Sequence, residues 1–348
     1  MSGHASNDPV EIVFTRCGGA TASTVAIQKG WLAEEFDRPG TRLTSLRDNP
    51  DIRESHFDHS VRAMFREGGN IPPIWARAKG ADTVVLGITW VDEFASVAVR
   101  ADGALRDLSD LKGKRLAVPL YEGISIDFQR GAALHGFASA LSLAGLGRGD
   151  VEFVDVRIPR EGAPGGGRGG RPNGEAQLEA LERGDVDAVF LRQASGVAQA
   201  RRYGDRLRHL VKLTEQPDPL LRVNNGTPRP VTAHRDFLKA HPDLVVRYLA
   251  VLLRAGAWAA VNPAEAVRTI AAEDGGVSED LARETFPHLA ASLSPALTRE
   301  YIDGLEAQKN FLRDWGFLAE DFNIRDWIEE GPLEEARALV RRERRFAA

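Results

Sequence analysis

The chain reads as an α/β protein built on largely parallel sheets, and three observations carry that reading. Strand-like and helix-like stretches alternate from Glu11 onward. DTVVLGITW and RLAVP are nearly continuous apolar runs, the pattern of strands that helices cover on both faces. The 348 residues are enough for two domains, each with a core of its own.

Taken in order, EIVFTRC is a strand (Glu11 to Thr15) that runs into a loop at Cys17. The polar cluster TAST offers a helix cap at Thr21, Ser23 or Thr24, and TVAIQKGWLAEEF continues with helical spacing. TRLTSL is the second strand. HSVRAMFRE reads as a short helix ended by Gly68-Gly69, because glycine adopts the left-handed cap without steric cost. Pro72 and Pro73 suit the first turn of the next helix, IPPIWARAKG, where a missing backbone N–H does no harm. DTVVLGITW and FASVAVRA follow as strands, and the strand RLAVP opens a new unit.

IDFQRGAALHGFASALSLAG is a long helix and VEFVDVRIP a strand. The low-complexity stretch Gly162 to Gly174 comes next; it lacks the Lys-Ser/Thr and apolar helix start of a phosphate loop. It reads as a surface loop, or as a lid over a cleft. EAQLEALERG is a helix closed by Gly184, and DVDAVFL and LRHLVKL are strands. TPRPVTAHRDFL returns as a strand before the long amphipathic helix HPDLVVRYLAVLLRAGAWAAVNP. The remainder is helical, in pieces broken at Gly275-Gly276, Pro287, Pro295 and Gly316.

Composition removes several function classes. A net charge of −5, from 45 basic and 50 acidic residues, gives no sign of a nucleic-acid surface. One cysteine allows no intrachain disulfide and no thiolate metal cluster. No apolar stretch is read as approaching the ~18 residues of a membrane span. MSGHASNDPVEIVF has no basic region followed by an apolar core, so the expectation is a cytoplasmic protein. A monomer is expected as well.

The densest chemistry lies between Asn49 and Ala81, which holds two histidines, a Gly-Gly and a Pro-Pro. The N–H groups of Gly69, Asn70 and Ile71 would point out of a helix N-terminus, and Arg66 could add a two-pronged donor to the same oxyanion. That is an anion cradle. His56 and His59 invite a metal reading, but no third ligand is marked out. Cys17 alone would be a small buried hydrophobe, Arg66 a helix-end charge, and Trp75 and Trp90 core. Arg192, after DVDAVFL, sits where cleft residues emerge from open α/β sheets.

DLKGKRLAVP, LERGDVDAVF and HRDFLKAHPDLVVRYLAVLLRAGAWA, in that order, resemble phrases of two-lobed type II periplasmic binding proteins of the nitrate, sulfonate and taurine branch. The resemblance implies two α/β lobes with a cleft between them. The first would be 1–102 with 228–348 and the second 103–227, with crossings near Val99–Arg106 and Asn224–Thr232. Cys17, His56-Phe57 and Arg66-Glu67-Gly68-Gly69-Asn70-Ile71-Pro72-Pro73 resemble more narrowly the 2'-hydroxybiphenyl-2-sulfinate desulfinases, with the same spacing from His56 to Arg66.

By that resemblance Cys17 is the catalytic thiol, His56 its partner, and Arg66 with the Gly69 N–H holds a small anionic organosulfur substrate. Gly18, Asn70 and Arg192 are added as substrate contacts, and no metal or organic cofactor is implied. A helix N-terminus and nearby Arg16 and Arg66 would favour the thiolate of Cys17. The alternative is a non-catalytic sulfonate-binding protein of an ABC transporter, which would use the same cradle without the thiol.

Overall fold

The computed structural model describes residues 9–158, 174–273 and 277–347. The strands are β1 (Val10–Arg16), β2 (Thr41–Ser45), β3 (Met64–Glu67), β4 (Thr83–Thr89) and β5 (Ala95–Arg100). They continue with β6 (Arg115–Tyr121), β7 (Glu152–Ile158), β8 (Ala188–Arg192), β9 (Leu207–Lys212) and β10 (Arg229–His234). They form two five-stranded sheets flanked by helices, ordered β2-β1-β3-β10-β4 and β7-β6-β8-β5-β9. In the first, β1 runs parallel to β2 and β3, and β10 antiparallel to β3 and β4. In the second, β6 runs parallel to β7 and β8, while β5 is antiparallel to β8 and β9. Each lobe is therefore a mixed sheet with one strand inserted against the grain.

Three expectations need correction. HSVRAMFRE is not a helix: the helix is Ser55–Asp58, and Met64–Glu67 is the central strand β3, buried throughout. A central strand covered on both faces does not alternate polar and apolar, and its Arg66 and Glu67 imitated a helix's polar face. TVAIQKGWLAEEF is two helices, Ala22–Gln28 and Trp31–Phe36, divided at Gly30. The first crossing between lobes lies at 90–94, not at Val99–Arg106, because β5 belongs to the second sheet. The apolar run of β5 fits either sheet equally, so the sequence carried no signal for the choice. Of the stretch 162–174, all but Gly174 lies outside the described residues.

The helix Pro242–Val261 also qualifies the reading on membranes. It is long and apolar enough to span one, with a hydropathy of 1.6. Its Leu244, Val245, Tyr248, Leu249, Leu252 and Ala255 are instead buried in the first lobe's core, with Ile12, Val25, Phe65 and Val231. The helix Arg299–Asp314 leaves the first lobe for the junction. Its Ile302, Leu305 and Leu312 share one cluster with Ile71 and Val85 of the first lobe and Val97, Leu116 and Phe137 of the second.

Where the chain crosses, charge does the joining. Glu93, 8% exposed, accepts from Arg229 at 2.7 Å and from Arg192 at 3.4 Å, and from the Gln193 amide at 3.3 Å. Arg229 opens β10 of the first sheet and Arg192 ends β8 of the second, so one carboxylate ties both lobes. Gly226 makes room for it, since a Cβ there would fall 1.3 Å from Glu93 Oε1. Gly226→Ala should therefore displace the carboxylate and leave two buried guanidiniums poorly paired. The expected loss of unfolding free energy in urea titration is about 3–5 kcal/mol; a loss below ~1 kcal/mol would show that the pairing is dispensable.

Candidate functional site

The first sheet lays a polar row across its centre. Register pairs Thr15 on β1 with Arg66 on β3, and Arg66 with Thr232 on β10. Directly paired residues project from the same face, so these three side chains stand side by side. The short helix Ser55–Asp58 lies over them. His56 Nδ1 meets Thr15 Oγ1 at 2.8 Å, His59 Nε2 meets Thr232 Oγ1 at 3.2 Å, and Arg66 Nε donates to the His56 carbonyl at 2.8 Å. The two histidines are thus a clip on the sheet. Among the described residues no group of three His, Cys, Asp or Glu is placed to hold a metal.

Cys17 follows β1 and is partly exposed. Its Sγ lies 3.6 Å from His56 Nε2 and accepts the Gly69 N–H at 3.2 Å. Gly68 lets the thiol in: a Cβ there would sit 2.3 Å from Sγ, and its φ of +151° suits glycine. Arg66 is fully buried, and neither terminal guanidinium nitrogen has a hydrogen-bond partner among the described residues. Burial pulls its pKa down, with Cys17 nearby acting the other way. The structure thus brings Cys17, His56, Arg66 and the Gly69 N–H together, with a buried cation short of an anion.

The rest of the cradle differs from expectation. The Asn70 N–H donates to the Asn225 carbonyl at 2.8 Å and the Ile71 N–H to Asn225 Oδ1 at 3.0 Å. Asn70 Nδ2 donates to the carbonyls of Asn224 at 2.7 Å and Pro228 at 2.9 Å. Asn70 is therefore a buried tie to the interlobe crossing, and its donors do not face the cleft. Arg16 also points away, to Thr24 at 3.1 Å and Glu273 at 2.5 Å. Gly18 is exposed and lines a cavity of about 410 Å³ together with Gln129, Gln193, Ser195, Leu281 and Phe286. Arg192 is buried in the second lobe, with Gln129 Oε1 at 2.9 Å.

Four further residues matter that sequence reasoning passed over: Thr15, Glu67, Glu93 and Asn225. Thr15 had a signal, since strand residues two apart share a face and Cys17 follows it at that spacing. Glu67 accepts the N–H groups of Ala22 and Ser23 at 3.1 and 2.8 Å. The chain's own carboxylate thus occupies the N-terminus of the helix Ala22–Gln28. Burial pushes the Glu67 pKa up, opposed by its bonds to Ser23 and Ala22. Across the cleft mouth Phe57 stacks on Phe128, ring centroids 6.0 Å apart, and Ser125 donates to Glu54 at 3.0 Å.

Burial, reinforced by the Arg66 charge, pushes His56 and His59 well below the usual histidine value of 6.5. Both stay neutral in the folded chain while the unfolded chain takes up protons as pH falls through 6.5. Their contribution to stability is complete above that value and declines below it, until the lower folded-state values are reached. The decline is bounded at about 1.4 kcal/mol per pH unit for each histidine. Melting temperature should fall from about pH 7.5 to about pH 5, and fall less in His59→Gln; an unchanged melting temperature would contradict the depressed values.

No family model matches the chain. A stretch covering 26% of it is 32% identical to a protein of Escherichia coli strain K12 named for binding aliphatic sulfonates, and spans 24% of that protein. The whole fold is shared more widely. The desulfurization enzyme DszB, whose structures include a complex with biphenyl-2-sulfinic acid, superposes with a TM-score of 0.74. Identity is 23%, over 94% of this chain and 99% of that one. The periplasmic aliphatic sulphonate binding protein SsuA of Escherichia coli gives a TM-score of 0.65 at 17% identity, over 93% of each chain. The chain has the periplasmic-binding-protein fold that these proteins share.

Proposed function

We propose that the protein cleaves the C–S bond of an organic sulfinate and releases sulfite, with Cys17 as the reacting thiol. The observation that carries this is the meeting of a partly exposed Sγ with the Gly69 N–H, His56 Nε2 and a buried guanidinium short of partners. A sulfinate offers two oxygens in the geometry that a guanidinium fork matches. Its sulfur would then lie beside the thiol. The net reaction is R–SO₂⁻ + H₂O → R–H + HSO₃⁻.

Two routes balance it. In one, the thiol gives its proton to the carbon bearing sulfur, the C–S electron pair stays on carbon, and sulfur dioxide leaves to be hydrated to sulfite. In the other, the thiolate attacks sulfur, the carbon leaves with the proton, and water releases sulfite from the Cys17–SO₂⁻ adduct. His56, neutral and braced on Thr15, stands where it can exchange a proton with Sγ in either route. Arg66 and the Gly69 N–H stabilise the oxygens as charge shifts.

The second reading is non-catalytic binding of a sulfonate. The stretch 32% identical to the E. coli sulfonate-binding protein favours it, and the Arg66 fork would serve a sulfonate as well as a sulfinate. Cys17→Ser separates the two. As a desulfinase, the variant should lose sulfite release in a sulfite assay with aryl and alkyl sulfinates and keep its affinity, since serine is similar in size and a far poorer nucleophile. Wild type that binds sulfonates tightly and releases no sulfite from any sulfinate would leave only the binding reading.

Arg66→Lys should weaken anion binding in calorimetry by about ten- to hundredfold, or about 1.5–3 kcal/mol, because a point charge cannot reproduce two parallel N–H bonds. Unchanged affinity would remove Arg66 from the site.

A further inference from the structure

Buried charge in the cleft does not balance, and the excess sits on both lobes. On the first lobe, Arg66 has its carbonyl bond from Nε and, among the described residues, no carboxylate partner. The nearby Glu67 is bound to the amides of the helix Ala22–Gln28. On the second lobe, Arg192 shares Glu93 with Arg229, and the distances of 3.4 and 2.7 Å assign that carboxylate mainly to Arg229. The short contact of Arg192 is the neutral amide oxygen of Gln129, at 2.9 Å. Glu67 also acts on Arg229, so within this group Arg192 is the guanidinium with the longest carboxylate contact, in surroundings where a poorly paired charge is costly.

Of these residues Gln129 is the one that reaches open space. Gln129 and Ser195 line the cavity of about 410 Å³ that Gly18 borders on the first lobe, and they also line the smaller recess that holds Arg192. The helix Gln193–Tyr203 begins there with no side-chain cap, so the positive end of its dipole faces the same region. Leu281 and Phe286 give the cavity an apolar wall. Burial lowers the pKa of Arg192, with Glu93 acting the other way.

We propose that the organic half of the substrate carries a second anionic group, a carboxylate in chemical type, received by Arg192, Gln129 and the first turn of the helix Gln193–Tyr203. The ligand is then a dianion that spans the cleft, sulfinate on Arg66 and carboxylate on Arg192, its short carbon skeleton against Leu281 and Phe286. This rests on Arg66 holding the sulfur oxyanion. It makes Arg192 the residue that selects among sulfinates.

Sulfonates test it without chemistry, because they fill the oxyanion site and are not desulfinated. Calorimetry on the full chain at ~0.15 M salt compares benzenesulfonate with 3-sulfobenzoate, which adds only the carboxylate. The dianion should bind at least about tenfold more tightly. Arg192→Met should reduce the preference to near unity. Ser195→Asp provides a second route, since an acid in the first turn of a helix supports folding and would itself occupy the anion's place. Equal affinities in wild type, or a preference that survives both variants, would overturn the proposal. Failure of both sulfonates to bind would overturn it together with the Arg66 site. A dianion preference in a protein that releases no sulfite would refute catalysis and leave this inference standing. Sulfite release from benzenesulfinate with no gain from a carboxylate would do the reverse.

Discussion

The burial of Arg66 at the middle of the first sheet governs the rest of the site. A guanidinium at 0% exposure with two unsatisfied nitrogens is costly, because its lost hydration is only partly replaced. The fold accepts that cost by surrounding the group with neutral partners. His56 and His59 are held uncharged, Thr15 and Thr232 flank Arg66 in register, and the His56 carbonyl takes Nε. In the proposed function an entering oxyanion supplies what the protein withholds. On that proposal the unpaired cation on a buried strand is already placed for the anion, and little reorganisation would be needed.

Helix N-termini around the cleft are used in three different ways, and the difference directs the ligand. The helix Ala22–Gln28 receives the chain's own Glu67. The helix Ile71–Ala78 gives its first N–H groups to Asn225, leaving only Gly69 to face Sγ. The helix Gln193–Tyr203 has no side-chain cap, and its Gln193 N–H donates to the Phe94 carbonyl at 2.9 Å. Orphan N–H groups must find acceptors, so filling two termini internally narrows the places where an external anion is welcome. On the proposed reading a ligand is guided toward the thiol and toward the second lobe.

The crossing segment couples these features. Asn224, Asn225 and Gly226 hold Asn70, Ile71 and Glu93 within a few residues of each other. A change in lobe angle would act on the Asn225 turn, and through it on the direction of the Gly69 N–H. The Gly69 N–H and the interlobe carboxylate are therefore tied through one turn, with the helix Arg299–Asp314 packed between both sheets as its backing.

The α/β class, most strands and the helix after Pro72-Pro73 were legible in the sequence because apolar runs, caps and proline act locally. The cluster Cys17, His56, Arg66 and Gly69 was legible as residue types at a given spacing. Which way Asn70, Arg16 and Arg192 point was not, since that depends on contacts such as Asn225, 155 positions beyond Asn70. Met64–Glu67 was misread for the same reason: local pattern cannot reveal that a charged pair lies inside a central strand. Residue types and their spacing set the chemistry available to the cleft. Tertiary structure alone decided the charge balance, because the pairing of Glu67 with a helix end and of Glu93 with two arginines exists only once distant strands are side by side.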